Sequence, residues 1–173
     1  MINIKIDTEI TLNDVEQALA KGIAKRRYNR CRQEGISNSK IGNQSNELTD
    51  LEGFAAELAF CKLHNVYPDL LIQPRSSSDD NGDCLLHIEN GRVDVKATKY
   101  QSGRLIAPLW KSKDSADIYA LMIGTFPTYT FKGFIKSSDF LIDVKIGKIK
   151  NNRTYMADQS DLVDLETLNN SCV

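Results

Sequence analysis

Residues 91–98 constrain the fold of this chain more than any other segment, because their pattern is typical of a half-buried β-strand. Apolar residues at 93, 95 and 97 alternate with polar residues at 94, 96 and 98. Side chains alternate between the two faces of a strand, so Asp94 and Lys96 share one face and an apolar face packs into a core. A carboxylate can hold a divalent metal and a neighbouring ammonium can orient a water, so this face indicates phosphodiester hydrolysis if suitable partners surround it.

A second acid is predicted to reach the same face through a β-hairpin. Asn90-Gly91 stands between two apolar runs, which is a strong signal for a two-residue turn. Pairing outward from this turn sets Asp83 opposite Thr98, on the face that carries Asp94. In a regular ladder the two aspartates would still lie about 13 Å apart along the strands. A shared metal site therefore requires strong coiling or a bulge that shifts the register, and we predict such a distortion.

A third acid is expected on a helix upstream of the hairpin. Thr49 followed by Glu52 fits the capping-box pattern, which predicts a helix that begins after Thr49 and continues to Leu63. On this helix Glu57 shares a face with apolar residues such as Phe60, three positions further on. An acid in apolar surroundings needs a charge partner. Glu57 is therefore the third candidate, whereas Glu52 is explained as part of the cap.

The order of these elements resembles the PD-(D/E)XK nuclease superfamily, in which a helix with G-x-x-x-E-x-A precedes an Asp that opens a hairpin and a strand with (D/E)-x-K. Here these motifs read GFAAELAF, NGDCLL and VDVKAT. The resemblance extends from about residue 46 to 141, with Gly82 where a proline often stands before the first Asp. It implies an α/β fold with a mixed central β-sheet flanked by helices, a restriction-endonuclease-like core over about residues 46–146.

The same resemblance implies a role for each candidate residue. Asp83 and Asp94 would bind one or two Mg²⁺ ions together with the backbone carbonyl of Val95, and Mn²⁺ could substitute. Glu57 would complete the site directly or through a metal-bound water, and Lys96 would position the attacking water. Mg²⁺ prefers about six oxygen ligands, which suits carboxylates and waters.

The implied activity is that of a metal-dependent deoxyribonuclease, and we expect an endonuclease. Two kinds of alternative stay open. One is a junction resolvase or an exonuclease on the same fold. The other is a DNA-binding or protein-binding module that retains the fold without turnover.

Basic residues concentrate in two places. The net charge of −1 does not itself indicate a nucleic-acid partner, but the distribution of charge matters more than its sum. One group occupies the last turns of a capped helix predicted over residues 12–32, where the helix dipole also favours cations, and the other follows the D-x-K strand. The residues expected to contact the DNA backbone are Lys25, Arg26, Arg27, Arg30, Lys99 and Arg104. The apolar stripe of that helix is predicted to be Val15, Leu19 and Ile23.

The length and the cysteine usage of the chain predict the number of domains and the cellular compartment. A chain of 173 residues predicts a single domain, and neither an apolar run of membrane length nor a signal peptide is recognised. Four unevenly spaced cysteines without a C-x-x-C motif predict reduced thiols in a cytoplasmic compartment, such as that of a bacterium or a phage-infected host. A homodimer and a phage, restriction or repair setting all stay open.

Two C-x-x-H pairs raise zinc as an alternative metal. These are Cys61 with His64 and Cys84 with His87. The first pair could converge on a helix, but on a strand Cys84 and His87 would point to opposite faces. Zinc is therefore the weaker hypothesis.

The rest of the chain is predicted as follows. Strands are expected at about residues 118–124, 129–135 and 140–146, an edge strand or arm at 1–6, and polar loops at 37–46 and 75–81. A second D-x-K at residues 143–145 has no Gly-Asp arm before it and is predicted to be an ordinary strand face.

Overall fold

The structure, a computed structural model, describes residues 4–36, 44–73, 82–88 and 91–170. These residues form a mixed α/β fold, which confirms the predicted class. The predicted loop at 75–81 and Asn90 of the predicted turn lie outside the described residues, as do residues 1–3 of the arm and 37–43 of the other loop. None of the described helices is long and apolar enough to cross a membrane.

The α-helices are α1 (Asp14–Gln33), α2 (Asn46–His64), α3 (Ser137–Phe140) and α4 (Leu165–Asn170), and 3-10 helices span Asp143–Lys145 and Gln159–Asp161. The two long helices begin at polar caps. Asn13 caps α1 in a reciprocal capping box with Glu16. Ser45 caps α2 and accepts a hydrogen bond from the backbone N–H of Leu48 at 3.1 Å. Such caps satisfy N–H groups that have no partner inside the helix.

The strands are β1 (Glu9–Thr11), β2 (Cys84–Leu85), β3 (Arg92–Thr98), β4 (Leu105–Pro108), β5 (Ile118–Thr125), β6 (Thr128–Lys136), β7 (Ile146–Ile149) and β8 (Asn152–Ala157). A five-stranded sheet has the order β1-β6-β5-β3-β2, and a three-stranded sheet has the order β4-β8-β7. The larger sheet is mixed, because β3 and β5 run parallel while its other neighbours are antiparallel.

Strand β5 lies between two hydrophobic clusters and is therefore apolar throughout. Its residues 118, 120 and 122 belong to a cluster shared with α1 and α2, and residues 119, 121 and 123 belong to a second cluster. A strand that is buried on both faces reads as a continuous apolar run rather than an alternating one. Strand β3 pairs beside it, with Asp94 opposite Tyr119 and Lys96 opposite Leu121.

The pairing of β2 with β3 differs from the predicted two-residue hairpin. Leu85 pairs with Arg92 rather than with Lys96, which moves the ladder by four residues. The connection runs through residues 86–91, and the backbone N–H of Leu86 donates to the carbonyl of Gly91 at 2.8 Å. Gly91 approaches the Leu86 carbonyl too closely for a Cβ, which is why a glycine suits this position. The expected change of register is thus present, but a longer connection produces it rather than a bulge.

The predicted start of the Glu57 helix is wrong. Ser45, not Thr49, caps α2, so that Thr49 lies one turn inside the helix. Glu52 consequently does not close a capping box. Its carboxylate accepts a hydrogen bond from the hydroxyl of Tyr129 at 2.7 Å instead. The polar residues around 45–52 allowed more than one start, and the earlier cap adds a further turn of helix.

The predicted apolar stripe of α1 is only partly correct. Ile23 is buried, but Val15 is 79% exposed and Leu19 is 38% exposed. Ala20 and Ala24 are buried beside Ile23 in their place. Small side chains at this contact allow α1 to pack closely against α2.

The strands predicted at 118–124 and 129–135 are confirmed as β5 and β6. The strand predicted at 140–146 is wrong, because α3 and a 3-10 helix occupy most of it before β7 begins. The second D-x-K motif therefore lies on a 3-10 helix, where Lys145 pairs with Asp161 at 2.7 Å. Residues 4–6 of the edge strand or arm predicted at 1–6 do not form a strand, and the N-terminal edge strand is β1, further along the chain, which pairs with β6.

Candidate active site

Asp94 is a buried carboxylate at the centre of the candidate site. Strand β3 places it beside β5, and only 3% of the residue is exposed. Its two oxygens form ion pairs with the ammonium groups of Lys96 and Lys111. Burial alone would raise the pKa of Asp94, but the charges of Lys96 and Lys111 outweigh it and hold the pKa below its ordinary value. Asp94 is therefore charged despite its burial.

Lys111 is a site residue that the sequence did not identify as one. It lies in the 99–117 connection between the parallel strands β3 and β5, and only 9% of the residue is exposed. Its Nζ is 2.7 Å from Oδ2 of Asp94 and 5.3 Å from the ring centroid of Trp110. Sequence spacing could not have found this contact, since the path of the connection alone brings Lys111 back to β3.

Asp83 is held against the same strand. Its backbone N–H donates to the carbonyl of Val93 at 2.6 Å, and its Oδ2 accepts from the backbone N–H of Val95 at 2.8 Å. Val95 is the residue between Asp94 and Lys96. The shifted register therefore brings Asp83 next to the D-x-K motif, as a shared site requires.

Glu57 occupies the middle of α2 and has the charge partner that its surroundings demand. Nη1 of Arg27 donates to Oε2 of Glu57 at 3.1 Å. Arg27 also donates to the carbonyls of Leu71, at 3.0 Å, and Asp69, at 2.7 Å. Its guanidinium lies 4.6 Å from the ring centroid of Phe54. The predicted need for a partner is confirmed, and the pair joins α1 to α2.

Lys96 is the group on which the acids converge. Burial alone would lower the pKa of Lys96, but the negative charge of Asp94, and then those of Asp83 and Glu57, raise it above its ordinary value. The three carboxylates come from β3, from the residue that precedes β2 and from α2. Each of the three acids thus lies within electrostatic range of Lys96.

Two thiols lie beside these acids. Cys61 follows Glu57 by one helical turn and Cys84 follows Asp83, and both thiols are buried and free. The pKa of the Cys61 thiol is raised by its hydrogen bond with Cys84, by burial, and by the nearby acids. A raised pKa keeps the thiol protonated and poorly reactive.

The zinc alternative finds no support in this arrangement. His64 packs against the rings of Phe60, Phe131 and Phe134, and burial lowers the pKa of His64 to about 4. His87, the second histidine of the pattern, is exposed. Within the part of the chain that the structure describes, no three His, Cys, Asp or Glu side chains form a group that could hold a metal.

The three acids carry hard oxygen donors of the kind that Mg²⁺ prefers, but the described residues do not gather them into a group that could hold the ion. Other groups already occupy oxygens of these three acids. Both oxygens of Asp94 pair with lysine ammonium groups, Oε2 of Glu57 pairs with Arg27, and Oδ2 of Asp83 accepts from a backbone N–H. A metal held by these acids would have to replace at least one of the ammonium contacts.

The cations predicted to contact DNA fall into two groups. Lys25, Arg26 and Lys99 are exposed. Arg27 pairs with Glu57, Arg30 with Glu34, and Arg104 with Asp158. Surface ion pairs are weak, so the pairs of Arg30 and Arg104 can open to a phosphate. Arg27 is held in the interior by several contacts, whereas Lys25, Arg26 and Lys99 are open to solvent.

A family model described as a family of unknown function (DUF5843) matches residues 2–130. No curated protein and no solved structure matches the chain. The matched segment covers more than half of the chain and contains the four predicted catalytic residues together with Lys111.

Proposed function

We propose that this chain, which belongs to the DUF5843 family, is a metal-dependent deoxyribonuclease with a restriction-endonuclease-like core. One observation carries the proposal. The ammonium of Lys96 forms an ion pair with Asp94, and the charges of Asp83 and Glu57, which come from separate elements of the fold, also act on it. Such a gathering of acids around one lysine is unusual for a structural ion pair, and it follows the helix, hairpin and strand order of the nuclease motif.

Each residue has a definite part in this proposal. Asp94, Asp83 and Glu57, with the backbone carbonyl of Val95, would hold Mg²⁺. The bound ion would polarise a phosphate oxygen and lower the pKa of a water. Lys96 would orient that water and offset negative charge as the phosphodiester is attacked.

The surface residues would hold the substrate. Lys25, Arg26 and Lys99 are exposed, and each can pair with a phosphate of the DNA backbone. Contacts of this kind position a strand without reading its sequence.

A second candidate, a DNA-binding module without turnover, is favoured by one specific observation. Both oxygens of Asp94 are already paired with lysines, so this charge is satisfied without a metal. A buried ionic network of this kind can persist for structural reasons alone. The two candidates differ in whether metal and water can enter the network.

Incubation with supercoiled plasmid, linear duplex and a four-way junction, in Mg²⁺ and in EDTA, separates these candidates. The wild-type protein is expected to nick the plasmid only with Mg²⁺. Lys96→Met and Glu57→Gln are expected to reduce cutting by about 100-fold or more. Asp94→Asn should do the same, but it removes the charge that pairs with the buried ammonium of Lys111, so folding must be verified by circular dichroism.

The chain offers a matched control in its second D-x-K motif. Asp143 is exposed on a 3-10 helix, and Asp143→Asn should cut like the wild type. Binding of DNA without metal-dependent cutting would favour the module. If Lys96→Met cut DNA as fast as the wild type, the proposed nuclease site would be wrong, whatever activity the protein showed.

A further inference from the structure

We propose that residues 99–113, within the connection from β3 to β5, form a surface that binds an unpaired segment of a DNA strand. Two exposed aromatic rings, those of Tyr100 and Trp110, would stack on bases, and exposed lysines in the same segment would pair with backbone phosphates. Binding at this surface needs neither a metal nor cleavage. Only the choice of DNA rather than RNA rests on the proposed function.

The 99–113 segment carries two of the three exposed aromatic side chains among the described residues. Tyr100 is 66% exposed and Trp110 is 60% exposed, whereas the third, Tyr67, lies elsewhere in the chain. A single exposed ring is ordinary on a protein surface. Two large rings in one short segment indicate an interaction surface, because each leaves an apolar face in water that a partner could cover.

The segment also carries basic side chains and no acid. Its cations are Lys99, Arg104, Lys111 and Lys113. Lys111 pairs with Asp94 inside the protein, and Arg104 pairs with Asp158 at the surface. Lys99 and Lys113, at the two ends of the segment, are exposed. A positive stretch of this kind is complementary in charge to a phosphate backbone.

Each of the two rings has a lysine ammonium beside it. Nζ of Lys99 lies 5.5 Å from the ring centroid of Tyr100, and Nζ of Lys111 lies 5.3 Å from that of Trp110. An ammonium at this distance is attracted to the face of the ring and helps to hold it in place. Proteins that bind single-stranded nucleic acid combine the same two groups, since bases stack on the rings while cations follow the backbone.

Tyr100 begins a tight turn that the rest of the fold holds in place. The backbone N–H of Gly103 donates to the carbonyl of Tyr100 at 2.8 Å. The side-chain amide of Gln159 donates to the carbonyls of Gln101, at 2.7 Å, and Gly103, at 3.0 Å. A ring on a fixed turn loses little conformational freedom when it binds, which favours affinity.

Trp110 lies in a second tight turn, at the other end of β4. The backbone N–H of Lys111 donates to the carbonyl of Pro108 at 3.1 Å, and the ammonium of Lys111 is 2.7 Å from Oδ2 of Asp94. The four residues of β4 separate the two turns by about 13 Å along the strand. The two rings can therefore stack on different bases of one strand.

Stacking on protein rings requires bases that are not already stacked in a duplex. A duplex presents base edges in its grooves, whereas an unpaired strand presents the faces of its bases, whatever the sequence. The surface should therefore prefer a single strand to a duplex.

Titration with a thymidine oligonucleotide of about 15 nucleotides, in EDTA, tests this preference. Trp110 is the single tryptophan of the chain, and a base stacked on its ring should quench its emission. Anisotropy of a labelled oligonucleotide gives the affinity, which should exceed that for a duplex of equal length at least about tenfold.

Substitution of the rings tests their part in binding. Trp110→Ala and Tyr100→Ala should each weaken binding of the oligonucleotide, on the order of fivefold to 100-fold. Trp110→Phe keeps an aromatic face and should recover most of the affinity. The matched control is Tyr67→Ala, which removes an exposed tyrosine from outside the segment and should bind like the wild type. Wild-type affinity in both Trp110→Ala and Tyr100→Ala would overturn the surface, as would equal binding of duplex and single strand.

The dependence of binding on salt tests the part of the lysines. Lys113→Met should reduce the slope of log affinity against log salt concentration by about 0.7, the value for one phosphate contact on a single strand. Lys148→Met removes an exposed lysine from β7 and should leave the slope unchanged. Equal slopes in Lys113→Met and the wild type would remove Lys113 from the surface and count against it.

Other occupants of the surface give different results. Tighter binding of a uridine RNA oligonucleotide than of the thymidine DNA would overturn the assignment of DNA. Self-association of the protein that is lost in Trp110→Ala, without binding of oligonucleotide, would assign the surface to a second copy of the chain instead. If the wild type cuts plasmid but both ring variants bind single strands as it does, the surface fails and the nuclease stands. If the ring variants lose binding but no protein cuts, the nuclease fails and the surface stands.

Discussion

Oδ2 of Asp83 accepts a 2.8 Å hydrogen bond from the backbone N–H of Val95, the residue between Asp94 and Lys96. A side chain that precedes one strand is thereby fixed to the backbone of the next. Because of this bond, the pairing of β2 with β3 fixes the position of Asp83, which is not left to a loose turn. A substitution that removes the charge of Asp83 but keeps an acceptor oxygen therefore tests the charge separately from the structural role.

Asp83→Asn is expected to keep the fold and lose the activity. The amide oxygen of Asn can still accept from the Val95 N–H, so the free energy of unfolding should change by less than about 1 kcal/mol. Asp83→Ala removes the acceptor and should cost about 1–3 kcal/mol. Both variants should cut plasmid at least about 100-fold more slowly with Mg²⁺. Urea unfolding and the plasmid assay give the two readouts, and normal cutting by Asp83→Asn would remove Asp83 from the site.

Arg27→Ala should destabilise the protein by about 2–4 kcal/mol, because it removes the ion pair with Glu57 and the stacking on Phe54. Arg27→Lys keeps the charge but not the planar group that reaches Glu57 and the two carbonyls together, so it should recover only part of this loss. Arg26→Ala is the control, since the neighbouring Arg26 is exposed. Urea denaturation of the three variants measures the difference. Equal effects of Arg26→Ala and Arg27→Ala would show that Arg27 is not a structural residue.

Tyr129→Phe is expected to lower the free energy of unfolding by about 1–2 kcal/mol. The hydroxyl of this fully buried tyrosine donates to Oε2 of Glu52 at 2.7 Å, and its loss removes a hydrogen bond from a carboxylate. Tyr100→Phe is the control, because Tyr100 is 66% exposed. Thermal or urea unfolding provides the measurement. A change below about 0.3 kcal/mol in Tyr129→Phe would mean that water replaces the hydroxyl at Glu52.

His64 should make the stability of the protein depend on pH. Burial lowers the pKa of His64 from 6.5 to about 4, so the unfolded chain binds a proton at a higher pH than the folded one. The contribution of His64 to the free energy of unfolding is fully present above pH 6.5. It decreases as the pH falls towards 4, by up to about 3 kcal/mol. Neutral imidazole is thus the form that the folded protein prefers.

His64→Phe should flatten that dependence. The Nε2 atom of His64 finds no hydrogen-bond partner among the described residues, so a phenyl ring among Phe60, Phe131 and Phe134 loses no polar contact. Urea unfolding at pH 4.5 and pH 7.5 measures the slope. The control is His87→Phe, at the other histidine of the chain, which is exposed. An equal slope in wild type and His64→Phe would assign the acid sensitivity to other groups.

Local patterns predicted the elements of the site well. The alternation around Asp94 predicted β3, the apolar run at 118–124 predicted β5, and the apolar surroundings of Glu57 predicted a charge partner. Each of these depends on the spacing of residues within one element. Spacing of this kind is read directly from the order of side chains.

Relations between distant segments could not be read in the same way. The register of β2 and β3 depends on the length of the 86–91 connection, and an Asn-Gly pair suggested a shorter turn than the one that forms. Lys111 reaches Asp94 only because the 99–117 connection returns to β3. At 140–146, Phe140 and Leu141 are buried in the second hydrophobic cluster at the end of a short helix, whereas Val144 is exposed on a 3-10 helix.

The pairing of β4 with β8 affects where the polypeptide can be divided. Strand β4 lies inside residues 2–130 while β8 lies beyond them, and Thr154 of β8 donates a buried 2.6 Å hydrogen bond to the carbonyl of Ala107. A fragment that stopped at residue 130 would leave β4 as an uncovered edge, open to pairing with other molecules. Every acid of the site would still be present in such a fragment.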